Sequence, residues 1–289
     1  MRTLYPGYRK GRVTSSDGTT IGYRTWGSGP VVIVVHGGMQ SAQHFTKLAA
    51  ALAGDFTVCV PDRRGRGLSG PHGAGFTVQR EVGDVQALVA TTGATRIFGL
   101  SSGGLVTLRT ALATPALDRV AVYDPPMSVN GSVPTAWLPR YHRQIAAGRT
   151  VSAMVTALKG IRVDPAMSRI PRWVLVPGLS LAVRLQREPS PDDVPIADLV
   201  PTEGYDMQIV QEMADTVPDY AALQAKVLLL GGATSPPYFA TALDALSAVL
   251  PQAGRVTFPG LGHSGPDDDG DPARVGEVLR DFFLGNTLN

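Results

Sequence analysis

Arg96-Ile97-Phe98-Gly99-Leu100-Ser101-Ser102-Gly103-Gly104-Leu105 is the stretch that decides how the chain is read. An apolar run of strand length enters it, small residues fill its middle, and Leu105 to Ala113 leaves it as a helix. Gly99 to Gly103 fits the pattern G-x-S-x-G. That pentapeptide carries weight only between a strand and a helix, because a serine presented on so sharp a turn needs neighbours without bulk. The context is present here, so Ser101 is the candidate nucleophile, with a helix N-terminus beside it to stabilise negative charge. An ordinary βα turn is the competing reading, since glycine and serine are common in turns.

Working outward, strand and helix signals alternate. Val31 to Val35 is an unbroken β-branched run, as expected of a strand buried on both faces, and it ends at His36-Gly37-Gly38. Upstream, Arg12 to Ser16 and Thr19 to Thr25 flank Asp17-Gly18, which predicts an antiparallel hairpin. Phe45 to Leu52 reads as a helix and Phe56 to Val60 as a strand closed by Asp62. Val78, Val82, Val85, Leu88 and Val89 recur at helical spacing, with Gly93 at the C-cap position. Val120 to Asp124 is a further strand. Repeated βα units predict an α/β fold with a mostly parallel sheet flanked by helices.

The β rhythm stops near Pro126 and resumes near Leu223, with proline frequent between them. A mostly helical insertion over 126–222 is predicted, dividing a core made of 1–125 and 223–289. Lys226 to Leu230 then reads as a strand, Tyr238 to Leu250 as a helix and Arg255 to Phe258 as a strand. In the closing helix Asp271 is the N-cap, Pro272 the first helical residue, and Val275, Val278, Leu279, Phe282 and Phe283 the apolar face.

A second candidate element is the His36-Gly37-Gly38 loop. A tetrahedral intermediate needs two fixed donors, and the backbone N–H groups of Gly38 and Ser102 are the natural pair, with Met39 as the alternative to Gly38. Taken together, this loop, Asp62 to Ser69, the turn at Ser101 and Gly260-Leu261-Gly262-His263 resemble the α/β-hydrolase superfamily, over nearly the whole chain and in the right order. The resemblance implies an α/β-hydrolase fold with a helical cap, a nucleophile–acid–histidine order along the chain, and His263 as general base. His36 is expected to be structural, and His44, His72 and His142 to be surface or pocket residues. In most members the acid follows the strand after the cap, but Gly231 to Pro237 contains no carboxylate. Some members place it at the tip of the preceding strand, where this chain has Asp124. Its task would be to orient the imidazole and stabilise the imidazolium. Capping the start of the insertion is the competing role for Asp124.

The implied activity is hydrolysis of a carboxylic ester, lactone or thioester of a small apolar substrate through an acyl-enzyme, with no cofactor and no metal. Serine at the turn, where dehalogenases and epoxide hydrolases of this superfamily have aspartate, disfavours their chemistry. Acyl transfer uses the same groups, and the fold also hosts lyases, cofactor-free oxygenases and binding proteins, so a non-hydrolytic reading stays open.

The remaining features narrow the partners. Lys and Arg number 26 against 24 Asp and Glu, and the cations are scattered, which argues against nucleic acid. The longest apolar runs are of strand length, so no membrane span is expected. Met1 to Gly7 shows no apolar run after its basic residues, which predicts no secretory signal and a cytoplasmic location. A homo-oligomer is left open. Cys59 reads as a buried inert thiol. The arginines of Asp62 to Ser69 read as structural, and Asp267-Asp268-Asp269-Gly270-Asp271, which lacks calcium-loop spacing, as a solvated loop. In the insertion, Trp137, Tyr141, Trp173, Leu179, Leu181, Val183 and Leu185 are expected either to line the pocket or to pack the cap. Arg140, Arg143, Arg169, Arg172 and Arg184 are expected to meet a substrate carboxylate or be solvated.

Overall fold

The computed structural model describes residues 7–162, 167, 169–185 and 190–286. Residues 1–6, which bear on the secretory reading, lie outside them, as do parts of the insertion and residues 287–289. Eight strands form one sheet in the order β1-β2-β4-β3-β5-β6-β7-β8. They are β1 (Arg9–Thr14), β2 (Thr20–Trp26), β3 (Val31–Val35), β4 (Thr57–Pro61), β5 (Arg96–Leu100), β6 (Arg119–Tyr123), β7 (Lys226–Gly232) and β8 (Gly254–Phe258). Only the β1–β2 and β2–β4 pairs are antiparallel. The rest are parallel, β3 against β4 and β5, and then β5 through β8.

The apolar strands are unbroken because both faces are covered. In β3, Ile33 and Val35 face one cluster with Ile97, Val122 and Leu229, while Val32 and Val34 face the other with Phe98, Ala121 and Leu230. Helices α2 (Val78–Thr92) and α3 (Ser102–Leu112) cover the first face. Helix α1 (Thr46–Leu52) and the last helix cover the second. Cys59 is fully buried in the first cluster, where burial pushes its thiol up to about 12.

Between β6 and β7 the described helices are α4 (Leu138–Ala146), α5 (Thr150–Ile161), α6 (Arg172–Leu185) and α7 (Glu203–Glu212), with single turns between. They are followed after β7 by α8 (Pro237–Val249) and α9 (Pro272–Leu284). Asp271 caps α9 by accepting from the Arg274 N–H, as its sequence position predicts, and Gly93 ends α2 at φ 69°. No described helix is long and apolar enough to cross a membrane.

Two boundaries differ from the sequence reading. Strand β1 lies earlier than predicted, because the Asp17-Gly18 turn is wider than a two-residue hairpin. Thr14 pairs with Thr20, and Asp17 Oδ1 accepts from the Thr19 N–H. Helix α3 starts at Ser102 rather than Leu105, so the glycines belong to its first turn.

Helix α7 is clamped to the core through the loop after β4. His72 stacks on Tyr205 with ring centroids 3.6 Å apart and 7° between planes. Burial, and then the charges of Arg66, Arg63 and Arg64, push the His72 imidazole down to about 3. A pKa depressed on folding contributes stability that is complete above the unfolded value of about 6.5 and lost as pH falls toward the folded one. Between pH 6.5 and 5 the unfolding free energy of the wild type should therefore fall more steeply than that of His72→Phe, which keeps the stack, by a difference that grows from ~0.7 to ~1.4 kcal/mol per pH unit as the unfolded imidazole protonates. Urea denaturation across that range measures the difference, and equal slopes would mean that His72 titrates normally in the fold.

Candidate active site

Ser101 joins β5 to α3 at φ 56° and ψ −129°, a left-handed conformation that its neighbours must allow. They allow it because Gly99 and Gly103, two positions to either side, carry no side chain. A Cβ on Gly103 would lie 2.3 Å from the His36 carbonyl oxygen, and one on Gly99 would lie 2.4 Å from Thr107 Oγ1. The Ser101 N–H donates to the Tyr123 carbonyl, fixing the turn to β6. Ser102 begins α3, where backbone N–H groups have no intrahelical acceptor.

Beside it runs the loop after β3. His36 is structural, as expected: its Nδ1 lies 2.9 Å from the Gly37 carbonyl, and its Nε2 accepts from the Arg63 N–H. Burial, reinforced by Arg66 and Arg63, holds it well below the usual imidazole range, so it is neutral with the proton on Nδ1. Gln40 stitches the loop in place. Its Oε1 accepts from the Gly37 N–H at 3.0 Å and its Nε2 donates to Asp267 Oδ2 at 2.7 Å. Gly38 and Met39, the latter at φ 50°, stand on the cavity wall with Ser101 and Ser102. The Gly38 N–H donates to no described residue.

The third element is the loop after β8. His263 Nδ1 lies 3.3 Å from Asp124 Oδ2, so the structure brings these two predicted residues together. Asp124 is buried at the tip of β6, at φ 45°, and Ser235 Oγ donates to its Oδ2 at 2.5 Å. Phe239 stacks on the His263 ring at 4.4 Å, and Tyr123 Oη donates to the Gly262 carbonyl to hold the loop. Ser101 and His263 share the cavity wall, with no hydrogen bond between them among the described residues. Catalytic hydrogen bonds are often long before substrate binds.

Several buried charges were invisible to the sequence reading. Arg63 pairs in a fork with Glu81 and donates through Nη1 to Asp206 Oδ1 at 2.8 Å and to Ser102 Oγ at 3.1 Å. Ser102 Oγ in turn donates to Asp206 at 2.8 Å. Arg66 donates to the other oxygen of Asp206, and Arg64 forks onto Asp84. The arginines are therefore structural, as expected. The acidic run after His263 is a correction. Asp267 is only 5% exposed and lines the cavity, since Gln40 and the Asp269 N–H draw it inward, and burial pushes its carboxyl up to about 6. Among the described residues no cluster of His, Cys, Asp and Glu is arranged to hold a metal ion.

The cavity measures about 180 Å³. Val133, Leu158, Ile161, Met207, Val210, Tyr238 and Phe239 supply its apolar wall. None of the aromatic and aliphatic residues picked from the insertion lines it: Tyr141 is buried in packing, while Trp173, Leu181 and Leu185 face outward on α6. None of the five candidate arginines reaches it, and Arg172 donates instead to Thr156 Oγ1 and the Ser152 carbonyl.

Comparison with known proteins gives a match between residues 32–278 and the family model described as the alpha/beta hydrolase family. The chain is 24% identical over 246 residues to 2-(acetamidomethylene)succinate hydrolase of Mesorhizobium japonicum, covering 84% of this chain and 85% of that one. An alpha/beta hydrolase structure from Sphaerobacter thermophilus superposes with a TM-score of 0.74 at 28% identity, covering 94% of this chain and all of that one. An enol-lactonase from Burkholderia xenovorans shares the fold with a TM-score of 0.69 at 20% identity, over 95% of this chain and all of that one.

The Gln40 bridge has a measurable signature. Gln40→Met should cost ~1–3 kcal/mol in urea denaturation, because it strands the Gly37 N–H and a buried carboxylate. The cost should be larger at pH 8 than at pH 5, since Asp267 is ionised only above about 6 and the ionised form needs the donor more. A pH-independent cost would show that the bridge does not bear on Asp267.

Proposed function

Because the chain belongs to the alpha/beta hydrolase family and its relatives include hydrolases, we propose that it hydrolyses a carboxylic ester, lactone or thioester of a small, largely apolar substrate through an acyl-enzyme on Ser101. The observation that carries this reading is the contact of Asp124 with His263, which stands on the wall of the cavity that Ser101 enters from a positive-φ turn. Residues 126–222 act as the cap, and the protein works in the cytoplasm. A volume of about 180 Å³ is close to that of an engineered cavity that holds benzene, which suits a short acyl group or a single ring.

In this mechanism His263 Nε2 takes the Ser101 hydroxyl proton as Oγ attacks the carbonyl carbon. The carbonyl oxygen becomes an oxyanion between the N–H groups of Gly38 and Ser102. Asp124 holds the Nδ1–H and so stabilises the imidazolium. The tetrahedral intermediate collapses as His263 returns the proton to the departing alcohol or thiol. Water then attacks the acyl-enzyme, giving a proton to His263, and release of the acid restores the Ser101 hydroxyl.

Fluorophosphonate labelling followed by peptide mass spectrometry tests the nucleophile. A single adduct on Ser101 is expected, absent in Ser101→Ala and at least ~100-fold slower in His263→Ala. Asp124→Asn should lower turnover of 4-nitrophenyl acetate by ~10³–10⁴-fold, as loss of an orienting acid does elsewhere. Folded protein whose Ser101 stays unlabelled while the probe enters the cavity would refute the reading.

A further inference from the structure

The cavity beside Ser101 holds a second carboxyl that the proposed triad does not use. Glu203, the first residue of α7, is 4% exposed and stands on the cavity wall. A Cβ on Gly38 would lie 2.5 Å from Glu203 Oε2. The carboxyl therefore occupies the space that this glycine leaves, against the very loop assigned to the oxyanion.

The surrounding charges decide its protonation. From the loop after β4 come Arg63 and Arg66, from α2 comes Glu81, and from the next turn of α7 comes Asp206. Arg63 is committed to Glu81 and Asp206, and Arg66 is held by Asp206 through Nη2 and by Thr202 through Nε, with its Nη1 unpartnered among the described residues. Two buried cations thus close on two buried anions, and Glu203 is the fifth group. No described arginine forms an ion pair with it, and no described residue donates a hydrogen bond to it. Ionising it would leave an uncompensated charge away from water, which is costly. Burial, followed by the repulsion of Asp206, pushes it well above the usual carboxyl range, and the two arginines offset this only in part. Tyr141 of α4 and Tyr238 of α8 also face it, but their hydroxyls already donate to the Val200 and Ile161 carbonyls. His142 lies beside Gly204, and His263 and Asp267 share the cavity wall. Burial and Asp206 thus favour the protonated form of Glu203, whose carboxyl has no partner among the described residues and a face on the substrate space.

We propose that Glu203 sets substrate specificity: its carboxylic O–H donates a hydrogen bond to an acceptor oxygen in the acyl group, so that acyl groups with an ether, hydroxyl or carbonyl oxygen near the scissile carbonyl are preferred over plain alkanoyl groups. A group against the oxyanion loop meets whatever is attached next to the bound carbonyl, which is why the preference falls on the acyl side. With a plain alkanoyl group the O–H stays unpaired in a dry pocket, and the lost hydrogen bond is what discriminates. The same use of a carboxyl kept neutral by an apolar site is known in enzyme chemistry. The proposal rests on the acyl-enzyme reading at Ser101.

Two near-isosteric esters test it, 4-nitrophenyl methoxyacetate and 4-nitrophenyl butyrate. The readout is the ratio of their kcat/KM values, compared between wild type and variants so that intrinsic ester reactivity cancels. Glu203→Met should lower the ratio by ~10–100-fold. Glu203→Gln, which keeps an N–H donor in the same place, should retain it within about threefold. As pH is raised the wild-type ratio should decline when Glu203 ionises, while that of Glu203→Gln stays level. Fluorophosphonate labelling of each variant reports separately on Ser101. If Glu203→Met labels normally and keeps the wild-type ratio, or loses both esters equally, the specificity role is wrong and the serine reading stands. If the wild type neither labels nor turns over either ester, both readings fall.

Discussion

A strand can hand over to a helix within one residue only if nothing larger than hydrogen projects from the inner side of the turn. At Ser101 the first turn of α3 is pressed against the carbonyls that end β3, so that a Cβ on Gly103 would lie only 2.3 Å from the His36 carbonyl oxygen and 2.5 Å from that of Val35. That contact places the serine and the loop after β3 together, since neither can move without the other. The positive φ of Ser101 stores strain of order 1–3 kcal/mol, which the hydrogen bond to Tyr123 and the parallel β5–β6 pairing help to hold.

Beneath this turn lies a dry network of charge. Arg63 touches the His36 carbonyl, Ser102, Glu81 and Asp206, and so links the loop after β3, α3, α2 and α7. Such a network adds little net stability over apolar packing, because desolvating each charge offsets most of the attraction, yet removing a single partner is expensive. What it contributes is position. Asp206 lies between β6 and β7 in sequence and grips the first residue of α3, so the inserted helices are registered on the core through the site itself.

Legibility in the sequence followed the range of the signal. The β-branched run of β3, the glycine-flanked serine and the Asp271-Pro272 start of α9 are local patterns, and all three read correctly. Asp124 and His263 were legible through family order along the chain, because strand tips and the loops after them occupy fixed places in such a sheet. The pairing of Arg63 with Asp206 spans 143 residues and leaves no periodic trace. Asp267 was misread for a related reason. A run of aspartates looks solvated, and only its contact with Gln40, 227 residues away, turns one of them inward. The apolar residues of α6 are not pocket residues, and this was illegible because composition reports that a face is apolar without reporting what it meets. In α6 that face is exposed, with Trp173 at 78%.

The absence of side chains at the end of β7 has a steric reason once Asp124 is in place. Strands β6 and β7 are neighbours, so an acid at either tip can approach the imidazole of the loop after β8. With Asp124 at the tip of β6, its Oδ1 lies 2.9 Å from where a Cβ on Gly231 would be, and a Cβ on Gly232 would lie 2.6 Å from the Gly262 carbonyl. Side chains at these positions would collide with Asp124 and with the loop that carries His263. The segment keeps instead a short hydroxyl, Ser235, which donates to the same oxygen that faces the imidazole. A second carboxylate nearby would raise the energy of the first, so the empty position and the buried Asp124 are two sides of one arrangement.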